Sequence, residues 1–336
     1  KWDGIVAEAK KEGMVVLYST AAADVRTDLA EAFKSKYGIN MDFVTGRGSE
    51  LSARLEKEYS AGVHIVDIIN SGGGSLTGNK TRGILQPIKP HLILPEVTND
   101  KAWVIGSVPY IDKDTMIFGL LASYEKYYAR NTNLVNEKDI TKLHDVLDPK
   151  WKGEISLFDP TTTGAGGSFI SFVAKLYGEE EMVKFMKTLA TMDVGLTRDK
   201  RLQGEWLAKE KYPIGIGVSP ELMAEFIDKG LPVKHITVAE GGAVNTVSGG
   251  MGMASKPPHP NAAIVFANWI TSKEGHAVYV KAVKLPGARV DAPTAGIDPN
   301  TIYKSGDKFI YADEEYFNLQ RKLLGISKEI FAPLMQ

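Results

Sequence analysis

Three times before Ser75 the chain repeats one motif: a short apolar run, a turn of glycines and hydroxyl residues, then a helical pattern. Met14–Tyr18 leads into Ser19-Thr20 and a helix from about Asp24 to Tyr37. Ile39–Val44 leads into Thr45-Gly46-Arg47-Gly48-Ser49 and a helix carrying Leu51, Leu55 and Tyr59 on one face. Ile65–Ile69 leads into Asn70-Ser71-Gly72-Gly73-Gly74-Ser75. This β-α-β-α-β order predicts a mainly parallel sheet with right-handed crossovers. In such sheets ligands sit beyond the carboxyl ends of the strands, where these turns fall.

The motif returns later. Glu154–Phe158 alternates as a strand, Asp159–Ser168 is a turn of threonines and glycines, and Phe169, Ile170, Phe172, Val173 and Leu176 share one helix face. A strand near Val194–Thr197 ends at Arg198, and Ile214–Val218 ends at Ser219-Pro220-Glu221, a helix start with proline at its first position. The unsatisfied N–H groups and positive dipole end of each following helix form a ready anion site. The alternative is that the hydroxyls cap helices and the glycines turn the chain. Arg47 and Arg198 each sit just past a strand and could pair bidentately with a carboxylate or phosphate. Each could equally form a surface ion pair, and Asp199 is a neighbour for Arg198.

Composition removes other classes. At 336 residues, with Lys+Arg 40 against Asp+Glu 41 and a formal charge of −1, the chain suits about two domains and has no basic tract for nucleic acid. No apolar stretch approaches the ~20 residues of a membrane span. The absence of cysteine removes disulfides, thiolate metal sites and cysteine nucleophiles; it suits an oxidising compartment but does not fix one, since many cytosolic proteins also lack cysteine. The six histidines, His64, His91, His144, His235, His259 and His276, lack paired metalloprotease spacing, and no Gly-x-Ser-x-Gly elbow occurs. Gly73–Thr81 nearly spells a nucleotide-binding loop, but Asn79 separates the second glycine from Lys80. Tyr124, Tyr127 and Tyr128, in a stretch read as helix-rich, could ligate a metal but are more simply packing residues. No catalytic residue, cofactor or metal ligand is assigned.

Val15–Ser19, Thr45–Leu51 with its Gly-Arg-Gly-Ser-Glu-Leu turn, and Phe266–Tyr279 (Phe-Ala-Asn-Trp-Ile-Thr-Ser-Lys-Glu-Gly-His-Ala-Val-Tyr) resemble extracellular solute-binding proteins of ABC importers. They are most similar to the type 2 group that includes ferric-ion-binding proteins. The resemblance implies an α/β fold of two lobes, each a mixed, mainly parallel sheet flanked by helices, joined by crossing strands. Lobe one is placed at residues 1–112 and 250–290, and lobe two at 113–249 and 291–336. It also implies a monomeric periplasmic carrier, its leader already absent from this chain, that delivers a small solute to a membrane ABC permease. Ferric-binding relatives carry an adjacent tyrosine pair where this chain has Ser219-Pro220, which supplies no anionic oxygen for a hard trivalent ion. The expected ligand is therefore a small anionic organic solute (carboxylate, phosphate ester or phosphonate) in an inter-lobe cleft, with ferric ion plus a synergistic anion as the alternative. The candidate ligand-binding residues are Ser19, Thr20, Arg47, Gly48, Ser49, Ser71 and Gly72 from lobe one, and Thr162, Thr163, Gly164, Arg198 and Ser219 from lobe two.

Overall fold

A computed structural model describes residues 1–162 and 164–334. The chain begins α1 (Trp2–Glu12), β1 (Met14–Ser19), α2 (Ala23–Tyr37), β2 (Asn40–Thr45), α3 (Gly48–Ser60), β3 (Ile68–Ser71), α4 (Gly73–Thr81), β4 (Leu85–Gln86), α5 (Pro95–Thr98) and β5 (Ile117–Gly119). It continues through β6 (Ser123–Glu125), β7 (Tyr128–Asn131), β8 (Ile155–Phe158), α6 (Ala165–Tyr177), α7 (Glu179–Ala190), β9 (Gly195–Thr197) and α8 (Lys200–Ala208). Then come β10 (Ile214–Ile216), α9 (Pro220–Asp228), β11 (Val233–Ile236), β12 (Gly242–Asn245) and β13 (Gly250–Ala254). The remainder is α10 (Pro260–Thr271), α11 (Lys273–Val283), β14 (Phe309–Tyr311) and α12 (Glu314–Phe331). No helix among the described residues is long and apolar enough to cross a membrane.

The chain divides into two compact units, Lys1–Ser123 with Asn245–Ile297, and Tyr124–Val244 with Asp298–Gln336. The first boundary falls later than the expected 112/113, because β5 pairs antiparallel with β13 in the first unit's sheet, Gly119 opposite Gly250. The stretch Thr246–Met253 reads as one strand from sequence, but only its second half is one: β12 ends at Asn245, a turn in which Val247 has φ 51° follows, and β13 begins at Gly250. The last boundary lies after Ile297 instead of 290.

In unit 1 the strand order is β2-β1-β3-β13-β4, with β5 on β13. β1 runs parallel to β2 and β3, and β13 runs antiparallel to β3. A strand flanked on both sides is apolar throughout, and Val15, Val16, Leu17 and Tyr18 are all buried. α1 packs on α10 and α2 on α11. Their aromatic contact centres on Phe33, whose ring lies 5.6 Å from Phe266 and 5.2 Å from Trp269. The apolar spacing of Ile264, Val265, Phe266, Trp269, Ile270 and Val278 predicts one helix over 261–281; the structure has two, because Ser272 ends α10 and caps α11, its Oγ accepting from Gly275 N at 3.3 Å. Asp67, fully buried, accepts from Val16 N at 2.8 Å, His259 N at 2.7 Å and His259 Nδ1 at 2.9 Å, tying β1 to the entry of α10.

In unit 2 the order is β11-β7-β10-β8-β9, with β8 parallel to β9 and β10, and β7 antiparallel to β10 and β11. A small sheet, β14-β12-β6, accompanies it. The stretch with Tyr124, Tyr127 and Tyr128 is not helical: Tyr124 lies in β6 and Tyr128 opens β7. Pairing of β6 beside β12 and of β7 with β10 and β11 overrides the helix-like spacing of the tyrosines.

His276 on α11 is fully buried, with Nδ1 3.3 Å from Ile270 O and no partner for Nε2 among the described residues. Burial, reinforced by Arg289, pushes its pKa down to about 3, against an unfolded value of about 6.5. The folded state then binds fewer protons than the unfolded state below pH 6.5, so this contribution is whole above that pH and is lost as pH falls toward 3. Urea unfolding should show His276→Asn losing about 2 kcal/mol less stability than the parent between pH 7 and pH 5; equal losses would place the proton elsewhere.

Candidate anion-binding turns

The carboxyl ends of three parallel strands coincide in unit 1. Ser19 stands opposite Thr45 on β2 and Asn70 on β3, while Ser71 stands opposite Gly250 at the start of antiparallel β13. α2, α3 and α4 begin directly beyond this edge, with Ala22, Arg47 and Gly72 as N-caps. None of these side chains caps its helix, so the alternative in which the hydroxyls serve as N-caps fails here. The first turns are nevertheless partly satisfied from within: Val25 N of α2 donates to Asp24 Oδ1 at 2.9 Å, Ser75 N of α4 to Gly72 O at 3.0 Å, and the Glu50 carboxylate of α3 reaches back to Arg47 N.

The hydroxyls divide into two kinds. Ser19 Oγ donates to Asn70 Oδ1 at 3.0 Å and accepts from Ala21 N at 3.1 Å. Asn70 Nδ2 donates to Gly250 O at 3.0 Å, and Thr20 N to Asn70 O at 3.1 Å. Ser19 therefore shapes the edge and has little capacity left for a ligand. Ser71, only 2% exposed, has no partner for its Oγ among the described residues, and neither does the buried Oγ1 of Thr20. A buried hydroxyl left unpaired costs about 1–3 kcal/mol, a cost that a ligand can remove.

Gly48, the first residue of α3, presses against these hydroxyls. A Cβ there would lie 2.6 Å from Ser75 Oγ and 3.0 Å from Ser71 Oγ. Gly72 lies near the Val247 carbonyl, 3.3 Å from where its Cβ would stand. Arg47 and Ser49 are exposed. Arg47 N donates to Glu50 Oε2 at 3.0 Å, while its guanidinium has no ion-pair partner among the described residues. Asn70, which holds β1, β3 and β13 together, escaped sequence reasoning because an Asn beside a Gly-rich tract reads as part of the turn. The near nucleotide-binding loop is helix α4, and Lys80 at its end pairs with Asp112 at 3.0 Å and Asp114 at 2.7 Å.

In unit 2 the ends of β8, β9 and β10 also align, Phe158 opposite Thr197 and Leu157 opposite Ile216. Arg198 pairs not with Asp199 but with Asp159, across two adjacent strand ends. Asp199 instead caps α8 through Leu202 N at 3.0 Å. Asp159 Oδ1 also accepts from Thr161 N at 2.7 Å. Burial favours the neutral acid at Asp159, but the bonds from Thr161 and Arg198 and the Arg198 charge outweigh it, holding the carboxyl below its usual range. Ser219 caps nothing; its Oγ donates to the Glu221 carboxylate. Gly164 (φ 134°) is the N-cap of α6 and makes no side-chain bond, and Thr162 is half-buried beside it. Thr163 lies outside the described residues.

The tyrosines are occupied within unit 2. Tyr124 Oη donates to Lys308 O at 3.0 Å and Tyr128 Oη to Leu143 O at 2.8 Å. Tyr127 Oη donates to Glu125 Oε2 at 3.1 Å and contacts Ser168 Oγ at 2.9 Å and Tyr316 Oη at 2.8 Å. Burial pushes the phenols of Tyr127 and Tyr128 well above their ordinary value.

A family model described as bacterial extracellular solute-binding protein matches residues 28–303. The chain belongs to that family. A Haemophilus influenzae protein described as uncharacterized is 23% identical to this solute-binding protein over 95% of its chain and 91% of the relative. The fold is shared with a Trichodesmium protein, IdiA (FutA), solved in complex with iron and citrate (TM-score 0.76, 19% identity, 96% of this chain and 99% of that one). It is also shared with the periplasmic binding protein AfuA of Actinobacillus pleuropneumoniae, solved with fructose-6-phosphate (TM-score 0.66, 22% identity, 94% and 98%).

Unit 2's turn depends on the close approach of α6 to the end of β8. A Cβ on Gly166 would lie 2.2 Å from Phe158 O and 2.5 Å from Asp159 O, both backbone atoms that cannot swing aside. Gly166→Ala should lower stability by about 1–3 kcal/mol, read as a drop in Tm; an unchanged Tm would mean that the helix is not held against the strand.

Proposed function

We propose that this solute-binding protein captures a small anionic organic solute (a carboxylate, phosphate ester or phosphonate) in the periplasm and hands it to a membrane ABC permease, without chemistry. The observation that carries this reading is the edge of unit 1: three helix N-termini whose N-cap side chains make no cap hydrogen bond, two unpaired buried hydroxyls, and Arg47 without an ion-pair partner among the described residues, at one set of strand ends. Helix N-termini and hydroxyl donors hold an anion without a full countercharge, which suits a chain of formal charge −1. Unit 2 is assigned the supporting role. Thr162, Thr163 and Gly164 are kept as ligand candidates from the stretch just before α6, whereas Arg198 and Ser219 serve mainly to set the turn through Asp159 and Glu221.

Ferric binding with a synergistic anion has less support. The related fold of a protein solved with iron and citrate keeps it in view. Against it stand Ser219-Pro220 in place of a tyrosine pair, and phenols at Tyr124, Tyr127 and Tyr128 that are hydrogen-bonded internally and harder to ionise than free tyrosine.

Native mass spectrometry of the purified protein should detect a co-purified small anion. Calorimetry with that compound should give an affinity about tenfold lower for Arg47→Ala, equivalent to about 1.4 kcal/mol. Wild-type affinity in the variant would remove Arg47 from the site. A visible tyrosinate–iron band on loading with ferric citrate would favour the iron reading instead.

A further inference from the structure

We propose that the strand-end hydroxyls of Ser71 and Thr20, together with the first turn of α3, form a seat for a phosphoryl or phosphonyl group, so that the solute is a phosphate monoester or phosphonate and not a simple carboxylate. The proposal rests on the anion-binding reading above and narrows it. Ser71 Oγ is sealed from water and has no partner among the described residues, yet it faces the start of α3, 3.0 Å from where a Gly48 Cβ would stand. Ser75 Oγ approaches the same point to 2.6 Å from the α4 side. Only a residue without a side chain admits both hydroxyls to this first turn. Thr20 Oγ1, at the end of β1, is likewise buried and unpaired.

The donors select the head group. They come from four different elements, the end of β1, the end of β3 and the starts of α3 and α4. A carboxylate presents two acceptor oxygens, whereas a phosphoryl group presents three and carries more charge, so it can accept from more of these donors at once. Two helix dipoles and a free guanidinium favour the more highly charged group. The Glu50 carboxylate beside them is turned onto Arg47 N.

The test compares methyl phosphate with acetate by calorimetry, on protein freed of bound solute by unfolding and refolding. Methyl phosphate should bind at least tenfold more tightly than acetate. Ser71→Ala and Thr20→Val should each lower methyl phosphate affinity at least tenfold without lowering Tm, because each removes a hydroxyl that stabilises nothing in the free protein. Acetate affinity should change less than twofold. Acetate binding as tightly as methyl phosphate, or Ser71→Ala and Thr20→Val both retaining wild-type methyl phosphate affinity, would overturn the phosphoryl seat while leaving the anion-carrier reading intact. Binding of neither anion, with no anion co-purifying, would overturn both.

Discussion

Unit 1 exists as a single sheet only because β13 is hydrogen-bonded into the middle of it. This strand arrives from beyond residue 249 and pairs with β3, β4 and β5, so segments far apart in the chain share one ladder. Two buried polar side chains reinforce the arrangement. Asn70 carries the edge from Ser19 through its own amide to Gly250, and Asp67 gathers Val16 and His259. A buried amide or carboxylate is stable only when its hydrogen bonds are made. These contacts therefore fix how far each strand projects, and with it where α2, α3 and α4 begin.

That fixed edge explains why similar residues do different work. Ser19 and Ser219 are both strand-end serines, and both are consumed internally, one by Asn70 and the other by Glu221. Ser71 and Thr20 are not. Arg198 and Arg47 look alike as guanidinium groups just past strands. Arg198 has the buried carboxylate of Asp159 within reach, while Arg47 has glycines on both sides and stays unpaired among the described residues. Donor capacity is thus concentrated in unit 1, and unit 2 carries more of its polar groups in internal networks such as Glu125, Tyr127, Ser168 and Tyr316.

Much of the fold was legible because it depends on local pattern. The opening β-α-β-α-β order, the turn before α6 and the aromatic face of α10 all follow from periodicity and glycine placement. What was not legible depends on distant partners. Tyr124, Tyr127 and Tyr128 have helical spacing, but Tyr124 lies in β6 beside β12, Tyr128 opens β7 between β10 and β11, and Tyr127 falls between the two strands. The partner of Arg198 lies 39 residues away, so Asp199, its neighbour in sequence, was the wrong inference. The break between α10 and α11 turns on Ser272, whose capping role disappears within a continuous apolar stripe. The strand-end candidates of unit 1 were named from sequence. Which of them still has a hydroxyl to offer could be seen only from Asn70, a residue that pattern alone does not single out.

The pairing of β5 with β13 also has a kinetic meaning. Gly119 sits opposite Gly250, so residues 120–249 form one very long excursion from what is otherwise an antiparallel hairpin. Because closure entropy grows only logarithmically, an excursion ten times longer costs about 2 kcal/mol more to close, a modest thermodynamic burden. Its weight falls on time instead. Ribosomal synthesis must pass residue 254 before the first sheet can be completed, and contacts of such sequence separation form slowly. Until then β3 exposes an unpaired edge, the kind of surface that invites aggregation or capture by a chaperone. The same delay would hold the chain in a loosely structured state suited to threading across a membrane before it folds.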